Sequence, residues 1–148
     1  MLQVATGDLT ERKERVLLVD DYPDALEMWG LYLTLSGYEV VTAEDGIRAV
    51  ELARTVAPDV IVMDLELPGL TGLDAARQLR TFPETASIPL IAATGYSQRT
   101  LIDRAHDAGF DTVLIKPCDP ATLAATIERV LDRARVAGED GQPTSTIR

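Results

Sequence analysis

The sequence is short of the residues that staple small folds. It has one cysteine, Cys118, among its 148 residues, so no internal disulfide can form. A lone thiol fits a reducing, cytoplasmic setting. Long apolar runs are missing as well. Stretches such as Val60-Ile-Val-Met63 fall far below the roughly 18 residues that a membrane span needs. Residues 1–14 hold several acids and no sustained apolar stretch, so they do not read as an export signal. Positive charge is scarce: 14 Lys and Arg against 24 Asp and Glu leave a net charge of −10. Such a chain repels nucleic acid, so direct binding to DNA or RNA is not expected. A cation or a basic partner surface suits it better, although much of the acid reads simply as solubility charge.

Apolar residues, by contrast, make up 46% of the chain, enough for a core without staples. The length suits one compact domain. A domain of this size buries about 68–70% of the surface its unfolded chain exposes. Five short runs rich in β-branched residues stand out, at 16–19, 40–43, 60–63, 89–93 and 112–115. Several are apolar at consecutive positions, the pattern of strands covered on both faces. Helical spacing fills the gaps between them. Pro23 suits a first turn, Ala25, Met28, Tyr32 and Leu35 form a stripe, and Gly37 suits a stop. Ile47, Val50 and Ala53 mark a second helix, and Leu73, Ala76 and Leu79 a third. Ser97 is a candidate cap for a fourth, with Leu101 and Ala105. Asp119 and Pro120 open a fifth, with Leu123, Ile127 and Val130. Strand and helix thus alternate, which predicts an α/β fold with right-handed crossovers. Residues 1–13 are expected to be a flexible lead, 14–135 the domain, and 136–148 a disordered polar tail.

Four of the five runs lead into polar residues: Asp20-Asp21, Asp64, Thr94 and Lys116. In a parallel sheet these ends share one edge, where doubly wound folds bind ligands. With strand order 2-1-3-4-5, the crevice lies between strands one and three, where Asp20, Asp21 and Asp64 would meet. Any one of these residues alone could be a helix cap. Together they form a cluster that needs compensation. At about 4 Å and an effective dielectric of about 20, each like-charge contact costs on the order of 4 kcal/mol. Lys116 supplies part of the counter-charge and a divalent ion the rest. The oxygen ligands favour Mg²⁺ over zinc, with His106 and Cys118 placed elsewhere. So neutralised, the pocket would accept a phosphoryl group.

The chain resembles the receiver domain of bacterial two-component response regulators. The resemblance spans about 14–135 and rests on RVLLVDDYPD (15–24), SGYEVVTAEDGIRAV (36–50), PDVIVMDLELPGLTGLD (58–74), IPLIAATGY (88–96) and AGFDTVLIKPCDP (108–120). It implies a flavodoxin-like sheet of five parallel strands with helices on both faces. It implies that Asp64 takes a phosphoryl group from a phosphohistidine on a sensor histidine kinase or histidine phosphotransfer protein. Mg²⁺, or Mn²⁺ in its place, would be held by Asp20, Asp21, Asp64 and the Glu66 backbone carbonyl. Thr94 would read the phosphoryl group and Lys116 would contact its oxygens, with a cis bond before Pro117. Glu66 and Tyr96 would border the site and tune the lifetime of the phosphoryl group. The face of helix four, strand five and helix five would carry the signal to a downstream protein. The resemblance implies a signalling protein rather than an enzyme, although one that catalyses its own phosphorylation and dephosphorylation.

One departure concerns the switch. The family usually places an aromatic residue three positions before the lysine, and here that position is Val113. Cys118 stands where Phe is common. A phosphatase of the haloacid-dehalogenase type would need an acid two residues past Asp20, where Tyr22 stands. An FMN binder would need a hydroxyl- or Gly-rich loop in place of Asp20-Asp21-Tyr22. The remaining alternative is a pseudo-receiver that binds proteins without phosphorylation. His106 reads as a surface residue and Trp29 as core or partner packing.

Overall fold

A computed structural model describes residues 12–147, with side chains described through 138. The elements run in strict alternation: β1 (Arg15–Val19), α1 (Pro23–Leu35), β2 (Glu39–Ala43), α2 (Gly46–Val56), β3 (Val60–Met63), α3 (Gly72–Leu79), β4 (Leu90–Thr94), α4 (Arg99–Ala108), β5 (Thr112–Ile115) and α5 (Pro120–Ile147). All strand pairings are parallel and the order is β2-β1-β3-β4-β5, as the sequence predicts. The expected lead over 1–13 lies almost wholly outside the described residues. The expected tail over 136–148 falls largely on residues whose side chains are not described, while the α5 backbone continues to Ile147.

Period-two alternation sorts the strand residues between two cores. Leu17 and Val19 join Ile61, Met63 and Leu90 under the helices α2, α3 and α4. Val16 and Leu18 join Val60, Val62 and Ile91 under α1 and α5. Each fully buried Leu, Ile or Val contributes about 1.5–3 kcal/mol relative to exposure. The central strand β3 is buried at every position, whereas β5 at the sheet edge is only half-buried.

Local chemistry starts the helices. Pro23 stands in the first turn of α1, and side-chain oxygens of Asp45 and Thr71 cap α2 and α3. Asp119 Oδ1 accepts the Thr122 amide at 2.7 Å at the start of α5. The cap position of α4 is Gln98, without a side-chain bond, rather than the expected Ser97. A second correction concerns α1. Its buried side is Leu26, Trp29 and Leu33, while Met28, Tyr32 and Leu35 of the expected stripe are exposed. Among the described residues no helix is long and apolar enough to cross a membrane.

Candidate functional site

Sheet register brings the polar residues together. Val19 pairs with Met63, so Asp20 and Asp64 leave neighbouring strands side by side. The Asp64 amide still donates to Val19 O at 3.1 Å, and the Asp20 amide to Ala43 O at 3.2 Å. Thr94 pairs with Ile115, and the next amide, that of Lys116, donates to Thr94 O at 2.7 Å. The chain after β1 feeds a helix on one face and the chain after β3 a helix on the other. A crevice therefore opens between these strand ends.

Asp20 is the buried member, 3% exposed. Its Oδ1 accepts the Tyr22 amide at 2.9 Å and its Oδ2 accepts Lys116 Nζ at 2.5 Å. The Asp64 side chain is 14% exposed. Its Oδ1 accepts the Glu66 amide at 3.0 Å and its Oδ2 accepts Lys116 Nζ at 3.2 Å. Asp21 is exposed at the rim, and carboxylate oxygens of Asp20, Asp21 and Asp64 all lie within 4.8 Å of one another. A groove of about 500 Å³ adjoins them, with Tyr22, Ala25, Met28 and Trp29 along its apolar side.

Burial pushes the Asp64 carboxyl above its ordinary pKa, against the opposing pull of the Glu66 amide and the Lys116 charge. For Lys116, burial acts to lower the pKa. The Asp20 hydrogen bond and the charges of Asp64 and Asp20 outweigh it, so the ammonium ends above its ordinary value. One cation thus serves two carboxylates, and the third, Asp21, faces water. This set of hard oxygens fits a divalent ion that keeps several waters. Asp20, Asp21 and Asp64 are the carboxylates brought close enough to hold it.

The other expected residues are more dispersed. Thr94 is fully buried, and its hydroxyl accepts the Tyr96 amide at 3.3 Å. Glu66 and Tyr96 are exposed, and the Glu66 carboxylate beside the Tyr96 hydroxyl pushes the phenol up. Val113 is half-buried against the core under α2, α3 and α4. The Lys116–Pro117 bond is cis. His106 is exposed on α4, and its Nδ1 lies 3.1 Å from Phe110 O. Cys118 is half-buried against the other core.

Three relationships are not visible in the sequence. The Glu66 carboxylate lies near enough to the Tyr96 phenol, on another loop, to raise its pKa. Lys116 Nζ lies 5.7 Å from the centre of the Trp29 ring. Gly72 has no room for a side chain, since a Cβ there would stand 2.1 Å from Asp64 O. Spacing along the chain carries no trace of such contacts.

The parallel sheet, its order and the acid cluster with a lysine at the reversal point define a receiver domain of two-component systems. The chain belongs to the response regulator receiver domain family, whose model matches residues 16–128. It is similar to protein PilH of Pseudomonas aeruginosa, 41% identical over 117 residues that cover 79% of this chain and 97% of PilH. It is also similar to the transcriptional regulatory protein PdtaR of Mycobacterium tuberculosis, 38% identical, covering 82% of this chain and 58% of PdtaR. The chain therefore spans nearly all of one relative and little more than half of another. Among solved structures, chemotaxis protein CheY4 of Vibrio cholerae superposes with TM-score 0.77 at 31% identity, over 80% of this chain and 98% of that one. The receiver domain of sensor histidine kinase PA1611 from Pseudomonas aeruginosa superposes with TM-score 0.76 at 32% identity, over 81% and 98%. That structure carries a magnesium ion in its active-site cleft.

Proposed function

We propose that Asp64 accepts a phosphoryl group from a phosphohistidine on a sensor histidine kinase or histidine phosphotransfer protein. The observation that carries this is the half-enclosed Asp64 carboxylate, held by the Glu66 amide and Lys116 beside the buried Asp20. An Asp64 oxygen attacks phosphorus in line. The O–P bond forms as the P–N bond to the donor imidazole breaks, and the imidazole nitrogen takes up a proton. Orientation and charge neutralisation do most of the catalytic work. Mg²⁺, or Mn²⁺ with the same oxygen preference, would neutralise charge on the phosphoryl oxygens when held by Asp20, Asp21, Asp64 and the Glu66 carbonyl.

Lys116 moves its ammonium from Asp20 towards the new phosphoryl oxygens. The Thr94 hydroxyl gives up the Tyr96 amide and donates to the phosphoryl group, and the β4–α4 region repacks. The face of α4, β5 and α5 then presents a changed surface to a downstream protein, a two-state element biased by a charge event. Glu66 and Tyr96 stand at the mouth and set the access of water to the acyl phosphate.

The test is intact mass after incubation with acetyl phosphate and Mg²⁺. A single phosphoryl adduct should form, disappear when EDTA is present from the start, and be absent in Asp64→Asn. No adduct on the wild-type protein sinks the reading and leaves a protein-binding pseudo-receiver.

A further inference from the structure

Trp29 is the one tryptophan of the chain, and it is 4% exposed on the inner side of α1. It packs in the core with Leu26, Leu33 and Ile127, so its ring has little freedom. Its indole Nε1 is buried and has no hydrogen-bond partner. A buried tryptophan normally pairs that donor, because leaving it unpaired disfavours the folded state. A leucine would fill apolar space at this position without that penalty. The compensating contact lies elsewhere on the ring: the Lys116 ammonium stands 5.7 Å from its centroid, within cation–π range.

We propose that Trp29 is a positioning residue for Lys116, its indole ring anchoring the ammonium beside Asp64 through a cation–π contact. The Lys116 ammonium has two carboxylates within reach, and the one it bonds more closely is Asp20, not Asp64. A divalent cation held by the acid cluster would compete with the ammonium for Asp20. A long lysine stem freed from Asp20 would sample many rotamers. The ring offers a neutral, polarisable contact that neither competes for the phosphoryl group nor carries charge of its own. It limits the ammonium to positions from which it reaches the phosphoryl oxygens. The groove that α1 shares with Lys116, Pro117 and Cys118 gives the stem room to make this move without repacking the core.

The inference rests on the phosphoacceptor reading of Asp64, and the following experiment separates the two. The single tryptophan is replaced biosynthetically by mono-, di- and trifluorinated tryptophan, which weakens the ring quadrupole stepwise with little change of shape. Trp29→Phe and Trp29→Leu are made alongside. For each protein the rate of acetyl-phosphate adduct formation is measured at saturating Mg²⁺, together with Tm. The logarithm of the rate should fall steadily with fluorination while Tm stays level. Trp29→Phe should retain more of the rate than Trp29→Leu, and Trp29→Leu should be slower by about two- to fivefold. In NMR spectra the Lys116 ε-methylene protons should resonate upfield from ring current in the wild type and lose that shift in Trp29→Leu. Equal rates across the fluorinated series, or an unshifted Lys116 methylene, overturn the proposal while leaving Asp64 as the acceptor. Absence of any adduct on the wild type overturns both.

Discussion

Lys116 Nζ bonds Asp20 Oδ2 at 2.5 Å, more closely than the 3.2 Å that separates it from Asp64 Oδ2. The lysine therefore occupies the acid cluster as an internal cation, and a divalent ion bound there would have to compete with it. Lys116→Met should bind Mg²⁺ more tightly, by about tenfold for one removed charge in a partly screened site. The same variant should form the acetyl-phosphate adduct about a hundredfold more slowly or worse, because a charge aimed at the phosphoryl oxygens is gone. Titration calorimetry and intact mass measure the two effects separately. Equal losses in both would contradict competition.

Mg²⁺ should stabilise the fold through the same acids. At ten times its dissociation constant, a ligand that binds only the native state adds about 1.4 kcal/mol. For a domain of this size that is a rise in Tm of about 3–6 °C. Calorimetric scans should show the rise in the wild type and its loss with EDTA or in Asp21→Asn. A rise that survives in Asp21→Asn would place the ion elsewhere.

Asp64 carries a stability cost that depends on pH. Its folded pKa is raised, chiefly by burial, so the native state binds the proton more tightly than the unfolded chain. The cost of ionising it is complete above the folded pKa. It fades as pH falls through that value and vanishes below the unfolded value of about 3.9. In EDTA at pH 7, Asp64→Asn should therefore melt higher, by about 2–4 °C for each kcal/mol relieved. The difference should shrink towards zero as pH falls below the ordinary carboxylate range. A lower Tm for Asp64→Asn at pH 7 would mean that the Lys116 contact outweighs burial.

Gly72 lies against the backbone just past β3. A Cβ there would stand 2.1 Å from Asp64 O and 2.8 Å from Leu65 Cα, both backbone atoms. Gly72→Ala should destabilise by about 1–3 kcal/mol in denaturant titration, the usual range for overpacking. It should also slow adduct formation, because the displaced segment carries Asp64. An unchanged rate with lowered stability would uncouple the loop from the site.

Much of this arrangement is legible in the sequence because the strands are short, β-branched and end in polar residues. The runs and their terminal Asp20, Asp64, Thr94 and Lys116 predict a parallel sheet with its polar groups on one edge, and the strand order follows from the family resemblance that the motifs carry. The face of α1 is not legible in that way. Its sequence is apolar almost all round, so spacing alone does not choose between Met28, Tyr32 and Leu35, which are exposed, and Leu26, Trp29 and Leu33, which are buried. The partners of Lys116 are equally hidden. Trp29 and Asp20 reach it from α1 and the end of β1, nearly ninety residues or more away in sequence. The α4 cap misses by one residue because Gln98, in extended backbone, takes the cap position, and no side-chain bond fixes the start.

Under the proposed mechanism Val113 bears on how far the signal travels. It is half-buried and packs against the core, in the position where the family usually has an aromatic ring. With beryllofluoride as a phosphoryl mimic, amide shifts should concentrate around Asp64, Thr94 and Lys116. They should spread further over α4 and α5 in Val113→Tyr. Large shifts across both helices in the wild type would show that Val113 does not limit the coupling.

The most direct measurement is chemical trapping of the adduct. Protein treated with acetyl phosphate and Mg²⁺ is reduced with borohydride, which converts an aspartyl phosphate to homoserine, and then digested for peptide mass mapping. Homoserine should appear at position 64 and at none of Asp20, Asp21 or Asp24. Homoserine at another aspartate, or none at all, would contradict Asp64 as the phosphoacceptor.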